Sequence, residues 1–386
     1  MNVLLVSEPG IDGVFRYVEA LSNFLIEQGV TVHLAYSDVR SSDALRELVA
    51  RVERNGGQTV NLHTANAPSL TDIVALRRLF ALVKKVKPDV IHSHSSKAGA
   101  LARGLRLLGV KTSQVYHPHA YSGMRPKRGR MDMIYDRVEQ LLGGQHFTIN
   151  CSRDEQNYAF FRLRLPPKRV LYVPNGIDTR HFTPLHPDAK RSLRIALGLP
   201  PDALILGTLC RSAPQKDPLT LYRAFAKARQ QRPDLFLFHV GRGELDADID
   251  RLVEREGIAS NVLRRSHLDT PVDFYRAVDG FMLTSRYEGL SLAVIEALSC
   301  DLPLILSRAP GNTEFAQLPL SHLWTAQIGD VAGFAEAVSR WSRTPARGVN
   351  HRLIAREQFD NRNAFGAVLK IYESLRPRPV RKPLAA

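Results

Sequence analysis

The chain has few cysteines and no long apolar run, and each shortage excludes a class of protein. The three cysteines, Cys151, Cys210 and Cys300, are far apart and form no Cys-x-x-Cys pair. We therefore expect no disulfide framework and no cysteine zinc site, which fits a reducing cytosol. No apolar run reaches the roughly 18 residues that a membrane span needs. The first six residues have neither the basic start nor the cleavage site of a signal peptide, so they are expected to form a strand.

Acidic residues are outnumbered by basic ones. The 386 residues include 53 Lys plus Arg and 38 Asp plus Glu, giving a net charge of +15. Such an excess indicates an anionic partner, which could be nucleic acid, a phosphorylated substrate or an acidic membrane surface. No helix-turn-helix, RRM, KH or zinc-finger pattern occurs, so we do not expect nucleic acid.

Short apolar runs alternate with longer helical patterns along the chain, and the alternation begins again after residue 200. In the helical pattern of residues 73–85, one predicted face comprises Ile73, Leu76, Leu79, Phe80 and Val83. Alternation of this kind predicts parallel sheets covered by helices. The predicted strands are Val3–Ser7, Thr31–Tyr36, Gln58–Leu62, Val90–Ser93, Ser113–Tyr116, His146–Asn150, Val170–Val173, Leu204–Leu209, Leu235–Val240, Asn261–Leu263, Gly280–Thr284 and Leu302–Leu306.

A stretch rich in turn residues and proline separates the two halves. We therefore predict an α/β protein of two Rossmann-like domains that face each other across a cleft. The first would comprise residues 1–174 together with a C-terminal crossover helix at about 361–375, and the second residues 175–360. Residues 376–386 are predicted to be a flexible basic tail.

Two glutamates follow a predicted strand in the second domain. Ligands of open parallel sheets bind beyond the carboxyl ends of the strands, and a helix N-terminus near Ser291 could hold a phosphate. Glu288 and Glu296 would repel a phosphate, so they should accept hydrogen bonds from hydroxyls. This indicates a sugar and a ribose on either side of a diphosphate. The alternative is an ordinary strand–turn–helix unit with two solvated glutamates.

Two cations follow the first predicted strand of the second domain. Arg211 and Lys216 flank a turn there, where they could bind a diphosphate. Ordinary surface cations are the alternative.

These residues, taken in order, resemble retaining GT-B glycosyltransferases of family 4. The glutamate pair with Gly289 and Leu298 resembles the family's E-x7-E motif, and Arg211 with Lys216 resembles its phosphate-binding pair. Four further segments are similar to the family's: the glycine loop at 10–21, where Asp12 replaces the first glycine and Gly13 matches the second; the segment 90–99; the histidine segment 116–121; and the linker 173–178 with Phe182.

The resemblance implies a role for each matching residue. Glu296 would bind the ribose, and Glu288 and His119 would be the catalytic residues that contact the donor sugar. The phosphates would be bound by Arg211, Lys216, Gly13, Leu290, Ser291 and Leu292. No metal and no other cofactor would be needed, and the donor would be a UDP- or GDP-sugar.

The resemblance also implies a reaction. A hexose would move, with retention, from a nucleotide-diphosphate sugar to a glycan or polyprenyl-diphosphate-linked acceptor in bacterial surface polysaccharide or lipopolysaccharide biosynthesis. The alternatives are a sugar-nucleotide epimerase of GT-B fold and a non-catalytic, membrane-associated protein that binds sugar nucleotides.

Two further patterns concern metals and membranes. His92 and His94 point the same way from a strand, but no neighbouring carboxylate or cysteine in the sequence completes a zinc set. The segment from Lys97 to Arg137 has nine Lys or Arg against Asp132 and Asp136, a net charge of +7. It could lie on anionic lipid, or it could be a set of solvated helix faces. We therefore expect a cytoplasmic protein that is peripheral on the inner face of the plasma membrane.

Overall fold

The computed structural model describes residues 1–65, 67–126, 128–343 and 350–376, so Lys127 and the tail beyond Arg376 lie outside it. The first half forms a parallel sheet of seven strands in the order β3-β2-β1-β4-β5-β6-β7. The strands are β1 (Asn2–Ser7), β2 (Thr31–Tyr36), β3 (Thr59–Asn61), β4 (Val90–His94), β5 (Ser113–His117), β6 (Phe147–Asn150) and β7 (Val170–Tyr172).

The second half forms a parallel sheet of six strands in the order β10-β9-β8-β11-β12-β13. The strands are β8 (Leu204–Leu209), β9 (Leu235–Val240), β10 (Val262–Arg265), β11 (Gly280–Leu283), β12 (Leu304–Ser307) and β13 (Leu323–Ala326). Sequence analysis did not predict β13. This strand lies at the sheet edge and three of its four residues are only partly buried, so it lacks the apolar run of a central strand.

Helices pack on both faces of each sheet, because the apolar residues of each helix repeat every three or four positions. The two α/β units predicted from the sequence are therefore confirmed. None of the helices in the described ranges is long and apolar enough to cross a membrane. The helices are α1 (Asp12–Glu27), α2 (Asp43–Arg54), α3 (Thr71–Val86), α4 (Ser96–Gly104), α5 (Arg130–Gly143), α6 (Arg153–Asn157), α7 (Pro187–Ala196), α8 (Pro218–Arg229), α9 (Asp246–Arg255), α10 (Pro271–Ala277), α11 (Leu292–Ser299), α12 (Thr313–Ala316), α13 (Val331–Arg343), α14 (His351–Gln358) and α15 (Asn361–Leu375).

The buried face of α3 matches the predicted one except at Ile73, because Leu76 and Phe80 pack against the same core as Leu79 and Val83. Ala75, Leu79, Leu82 and Val83 are buried, whereas Ile73 is 55% exposed. Ile73 is exposed because the face that packs against the sheet begins at the small Ala75, one turn before Leu79.

The last helix returns to the first sheet. Ile177 N donates to Phe359 O at 2.9 Å, and Asn361 N donates to Ile177 O at 2.9 Å, so the chain crosses between the two halves twice at one place. Beyond that crossing, Phe365 and Tyr372 of α15 are buried in the core on one face of the first sheet.

The strand order reverses once in each sheet. The reversal lies between β1 and β4 in the first sheet and between β8 and β11 in the second. Loops that leave the carboxyl ends of such neighbouring strands diverge and leave a crevice, which is where ligands of open parallel sheets bind. The candidate residues follow these four strands and β5.

Candidate active site

Two loops of the second unit are joined by hydrogen bonds into one surface. The loop after β8 and the loop after β11 lie side by side because their strands are neighbours. The Thr284 hydroxyl donates to the carbonyl oxygens of Lys216 at 3.1 Å and Asp217 at 2.9 Å. Arg286 N donates to Gln215 O at 2.7 Å. The cation loop and the glutamate loop are thus held in a fixed relation to each other.

Glu288 is nearly buried and bound to a cation. Its side chain accepts Lys216 Nζ at 2.5 Å and the Ser285 hydroxyl at 2.5 Å, both on Oε1. Its backbone N–H donates to Pro310 O at 2.9 Å. Since neither bond uses Oε2, that oxygen faces no partner among these contacts and can accept a hydrogen bond from a ligand hydroxyl.

Glu296 is fully buried in α11, and both of its oxygens have partners. The Tyr275 hydroxyl donates to Oε2 at 2.6 Å, and Arg16 of α1 donates to Oε1 from the other side of the cleft. Burial and the neighbouring Glu296 raise the pKa of Tyr275, so the phenol keeps the proton that it donates. A ribose would have to share Glu296 with Arg16 or displace it.

Arg211 also reaches across the cleft. Its Nε lies 3.2 Å from Asp12 Oδ2, and both side chains are partly exposed. A Cβ placed on Gly13 would lie 3.9 Å from Leu292 Cδ1, so the start of α1 directly faces the start of α11. The two helix N-termini that resemble the family's phosphate-binding elements therefore lie together.

The turn before α11 is hydrogen-bonded to the segment in which the chain crosses from the first half to the second. Leu290 and Ser291 are buried, and the side-chain amide of Asn175 donates to Leu290 O at 2.8 Å. Because this bond holds the carbonyl, the geometry of the predicted phosphate-binding turn depends on Asn175.

His119 lies in a cluster of imidazole rings on the first unit. Its Nε2 is 3.1 Å from His94 Nδ1, its ring stacks on His117 with centroids 3.7 Å apart, and the Tyr17 ring meets it edge-on. Burial lowers the pKa of His119 to about 3. The ring is therefore neutral at physiological pH and acts as a hydrogen-bonding group.

The turn that carries His119 contacts the glutamate loop. A Cβ placed on Gly289 would lie 3.0 Å from Ala120 N, the residue after His119. The structure therefore brings His119 and Glu288 to the same part of the cleft from opposite sides.

Two groups of buried side chains have three potential metal ligands within 4.8 Å: His92, His94 and His117, and His117, Cys151 and Glu155. The sequence-based argument considered only a carboxylate or cysteine as a partner for His92 and His94, and it did not anticipate that the parallel register places His117 beside His94. Burial lowers the pKa of each ring in the first group, so all three are neutral. That group brings no negative charge to balance a divalent cation.

Part of the positive charge of the segment from Lys97 to Arg137 is buried and paired within the protein. Lys97 and Arg103 are buried and paired with Asp72 and Glu139, so the net charge of +7 counted from the sequence overstates the surface charge. The basic residues of the segment that are exposed in the described ranges are Arg106, Lys111, Arg125, Arg128, Arg130 and Arg137.

Sequence analysis missed several residues of the site. Arg16, Tyr275 and Ser285 bind the two glutamates, and Asp12 binds Arg211. Arg16 had one signal, since it follows Asp12 by four residues and so shares a helix face with it. Tyr275 had none, because α10 approaches α11 only through the fold.

Known proteins share both the fold and the sequence pattern. The chain superposes on sucrose-phosphate synthase from Thermosynechococcus elongatus with a TM-score of 0.81 at 20% identity, over 97% of this chain and 99% of that one. Anabaena HepE in complex with UDP-glucose gives a TM-score of 0.81 at 19% identity, over 97% and 100%. The fold is GT-B.

Comparison of the sequence with family models assigns the chain to a family within this fold. The model of glycosyltransferase family 4 matches residues 11–181, and that of glycosyl transferases group 1 matches residues 189–360. The UDP-Gal:α-D-GlcNAc-diphosphoundecaprenol α-1,3-galactosyltransferase of Escherichia coli is 28% identical over 280 residues, 71% of this chain and 72% of its own. The chain belongs to glycosyltransferase family 4, and it is a glycosyltransferase.

Proposed function

We propose that the protein transfers a hexose, with retention, from a UDP- or GDP-sugar to a glycan or polyprenyl-diphosphate-linked acceptor of a bacterial surface polysaccharide. The observation that carries this proposal is the convergence of Lys216, Arg211, Glu288 and Glu296 at one switch point opposite His119. The name of the Escherichia coli relative, which specifies UDP-Gal and an undecaprenyl diphosphate acceptor, supports a donor and acceptor of this class.

The contacts support a role for each group. Arg211 and Lys216 would donate to the diphosphate and stabilise the charge that develops on the leaving group. Glu288 Oε2 would accept a sugar hydroxyl, and His119 would contact the sugar through Nδ1 because its Nε2 faces His94. The bond from C1 to the phosphate oxygen breaks, and a bond from C1 to the acceptor oxygen forms on the same face. The proton of the acceptor hydroxyl goes to the leaving phosphate.

A thermal-shift screen of sugar nucleotides tests the donor. UDP-galactose, UDP-glucose and GDP-mannose should be compared on wild type and on Glu296→Ala. A ligand at 100 times its Kd stabilises the folded state by about 2.7 kcal/mol, and the shift should be smaller in the variant. If no sugar nucleotide raises the Tm, or if the variant shifts as much as wild type, the donor assignment is wrong.

Chelation tests the proposal that transfer needs no metal. In this proposal two cations and two helix N-termini would face the diphosphate, so they would supply the charge that Mg²⁺ supplies elsewhere. Transfer should survive EDTA. Loss of activity that Mg²⁺ or Mn²⁺ restores would overturn this part of the proposal.

The face of α5 supports a membrane surface as the site of the acceptor. The acidic residues of this helix point inward, and Glu139 and Asp136 are paired with Arg103 and Arg128. The outward face is basic and apolar, with Met133 52%, Ile134 53% and Leu141 79% exposed. An amphipathic helix with this pattern can lie on anionic lipid. The residues at helical spacing on this face are Arg130, Met133, Ile134, Arg137 and Leu141.

Co-sedimentation with anionic vesicles tests this surface. Each basic residue near such a membrane contributes about 1 kcal/mol, so Arg130→Glu with Arg137→Glu should weaken binding more than about tenfold at low salt. The control is Arg255→Glu with Arg356→Glu, which makes the same charge change at exposed sites of the second unit. If both double variants bind alike, or if wild type ignores the vesicles, the acceptor surface lies elsewhere.

A further inference from the structure

The turn that carries His119 has an unfavourable backbone. His119 has φ 54° and Ala120 has φ 97°. Two consecutive non-glycine residues with positive φ are uncommon, and such conformations persist only where the surrounding structure holds them. Something must therefore fix this turn.

Glu155 provides the contact that holds it. The side chain is 0% exposed and lies in the short helix α6 that follows β6. Its Oε1 accepts the backbone N–H of Ala120, and its Oε2 accepts that of Cys151 at 2.7 Å. The Ser152 hydroxyl in turn accepts Glu155 N at 3.2 Å, which fixes the start of the helix. One carboxylate therefore joins the turn after β5 to the end of β6.

The same carboxylate faces the other side of the cleft. A Cβ on Gly289 would lie 2.9 Å from Glu155 Oε1 and 3.0 Å from Cys151 Sγ, so the backbone of the glutamate loop packs directly on this group. Any side chain at position 289 would push the loop away. Glu288 is the preceding residue, so its distance from His119 depends on this contact.

We propose that Glu155 is a positioning residue for glycosyl transfer: it holds the His119–Ala120 turn in its left-handed conformation and forms the surface on which Gly289 packs. Through these two contacts it sets the relation between His119 and Glu288. The proposal rests on the proposed function, because it assumes that these two residues contact the donor sugar. Among the described residues, no hydrogen bond or ion pair joins Glu155 to Arg211, Lys216 or Glu296.

A set of four proteins tests this role: wild type, Glu155→Gln, Ala120→Gly and the double variant. The glutamine keeps the shape of the side chain, but its NH₂ group must face one of the two N–H donors. We expect Glu155→Gln to lower kcat about 10- to 100-fold, as for a misplaced catalytic group, with the Kd for UDP unchanged. Ala120→Gly should raise the Tm and should restore part of the lost kcat in the double variant, because glycine adopts this φ without support.

Glu314→Gln is the matched control. Glu314 is a buried carboxylate at the same interface, where it accepts Arg153 N at 2.7 Å and the Tyr172 hydroxyl at 2.6 Å. Within the part of the chain that the structure describes, no hydrogen bond joins it to the His119 turn. It should change stability with little effect on kcat, and Ala120→Gly should not rescue it.

The proposal is overturned if Glu155→Gln lowers kcat no more than Glu314→Gln does, or if Ala120→Gly restores nothing. If wild type transfers no hexose at all, the proposed function fails instead. The Tm values of the same four proteins then still decide the structural part. Additive effects of the two substitutions on Tm would show that Glu155 does not support the turn.

Discussion

At the β8–β11 switch point the side chains that face the cleft are charged, whereas beside the β1–β4 switch point most are neutral rings. Lys216 and Glu288 form an ion pair on the second unit. On the first unit, His119 stacks on His117 and contacts His94, and burial holds all three rings neutral. The two units share one architecture, so the difference lies in the residues at the strand ends and not in the fold.

The exceptions to this division are charged residues of the first unit that neutralise charges of the second unit across the cleft. Arg16 and Asp12 are charged residues of the first unit, and each pairs with a group of opposite charge on the second. The charges of Glu296 and Arg211 are therefore already paired when no ligand is bound. In the proposed function a nucleotide would have to exchange these ion pairs for its own contacts, so its affinity would measure a difference between two sets of bonds.

The largest effect should come from the charged side. If Lys216 binds the diphosphate as proposed, Lys216→Ala removes a donor to its developing charge, and removing one such donor costs about 10²- to 10³-fold in kcat. Lys227→Ala, an exposed lysine on α8, is the control and should be near wild type. The measurement is initial rate against donor concentration. A loss confined to KM would mean that Lys216 binds the ground state and the transition state equally.

The two glutamates should differ from each other. Glu296→Ala should weaken the binding of UDP about tenfold to 100-fold, since hydrogen bonds to a charged group contribute about 1.5–3 kcal/mol. Glu288→Ala should leave the Kd for UDP nearly unchanged and reduce transfer, because Glu288 Oε2 is proposed to accept a hydroxyl of the sugar and not of the nucleotide. Isothermal titration with UDP measures the first effect. Equal losses of UDP affinity in both variants would contradict the assignment.

The bounds of most strands were predictable from the sequence, because buried parallel strands are apolar throughout. Thr31–Tyr36, Leu204–Leu209 and Leu235–Val240 were predicted with the observed bounds. Sequence analysis failed at the edge strand β13, where the apolar signal is weak. In α3 it misplaced only Ile73, because the apolar residues of that helix outnumber the positions that reach the sheet.

Only the features of the site that lie within one short segment of the sequence were predictable. The glutamates and cations stand in one local pattern each, so their place at strand ends could be inferred. Their partners could not, because Arg16 is 280 residues from Glu296 and meets it only when the two sheets face each other. Glu155 was missed for a related reason: its role depends on the φ of Ala120, which a sequence does not report.

The smallest effect should come from the neutral rings, and it concerns stability against pH. Burial holds the pKa of His92, His94, His117 and His119 below 6.5 in the folded chain. Below about pH 6.5 the unfolded chain binds protons that these rings do not, so stability is present above that pH and is lost as the pH falls. Each such ring contributes a loss of about 1.4 kcal/mol per pH unit. Glu155 acts in the opposite direction, because burial raises its pKa to about 7.

Urea unfolding at about pH 7.5 and about pH 5.5 measures the net change in stability. His117→Asn is expected to reduce the loss of stability by the contribution of one ring. His186→Asn, which replaces an exposed ring, is the control. If His117→Asn and His186→Asn lose stability equally on acidification, the buried cluster is protonated in the folded state and the contrast between the two sides of the cleft does not hold.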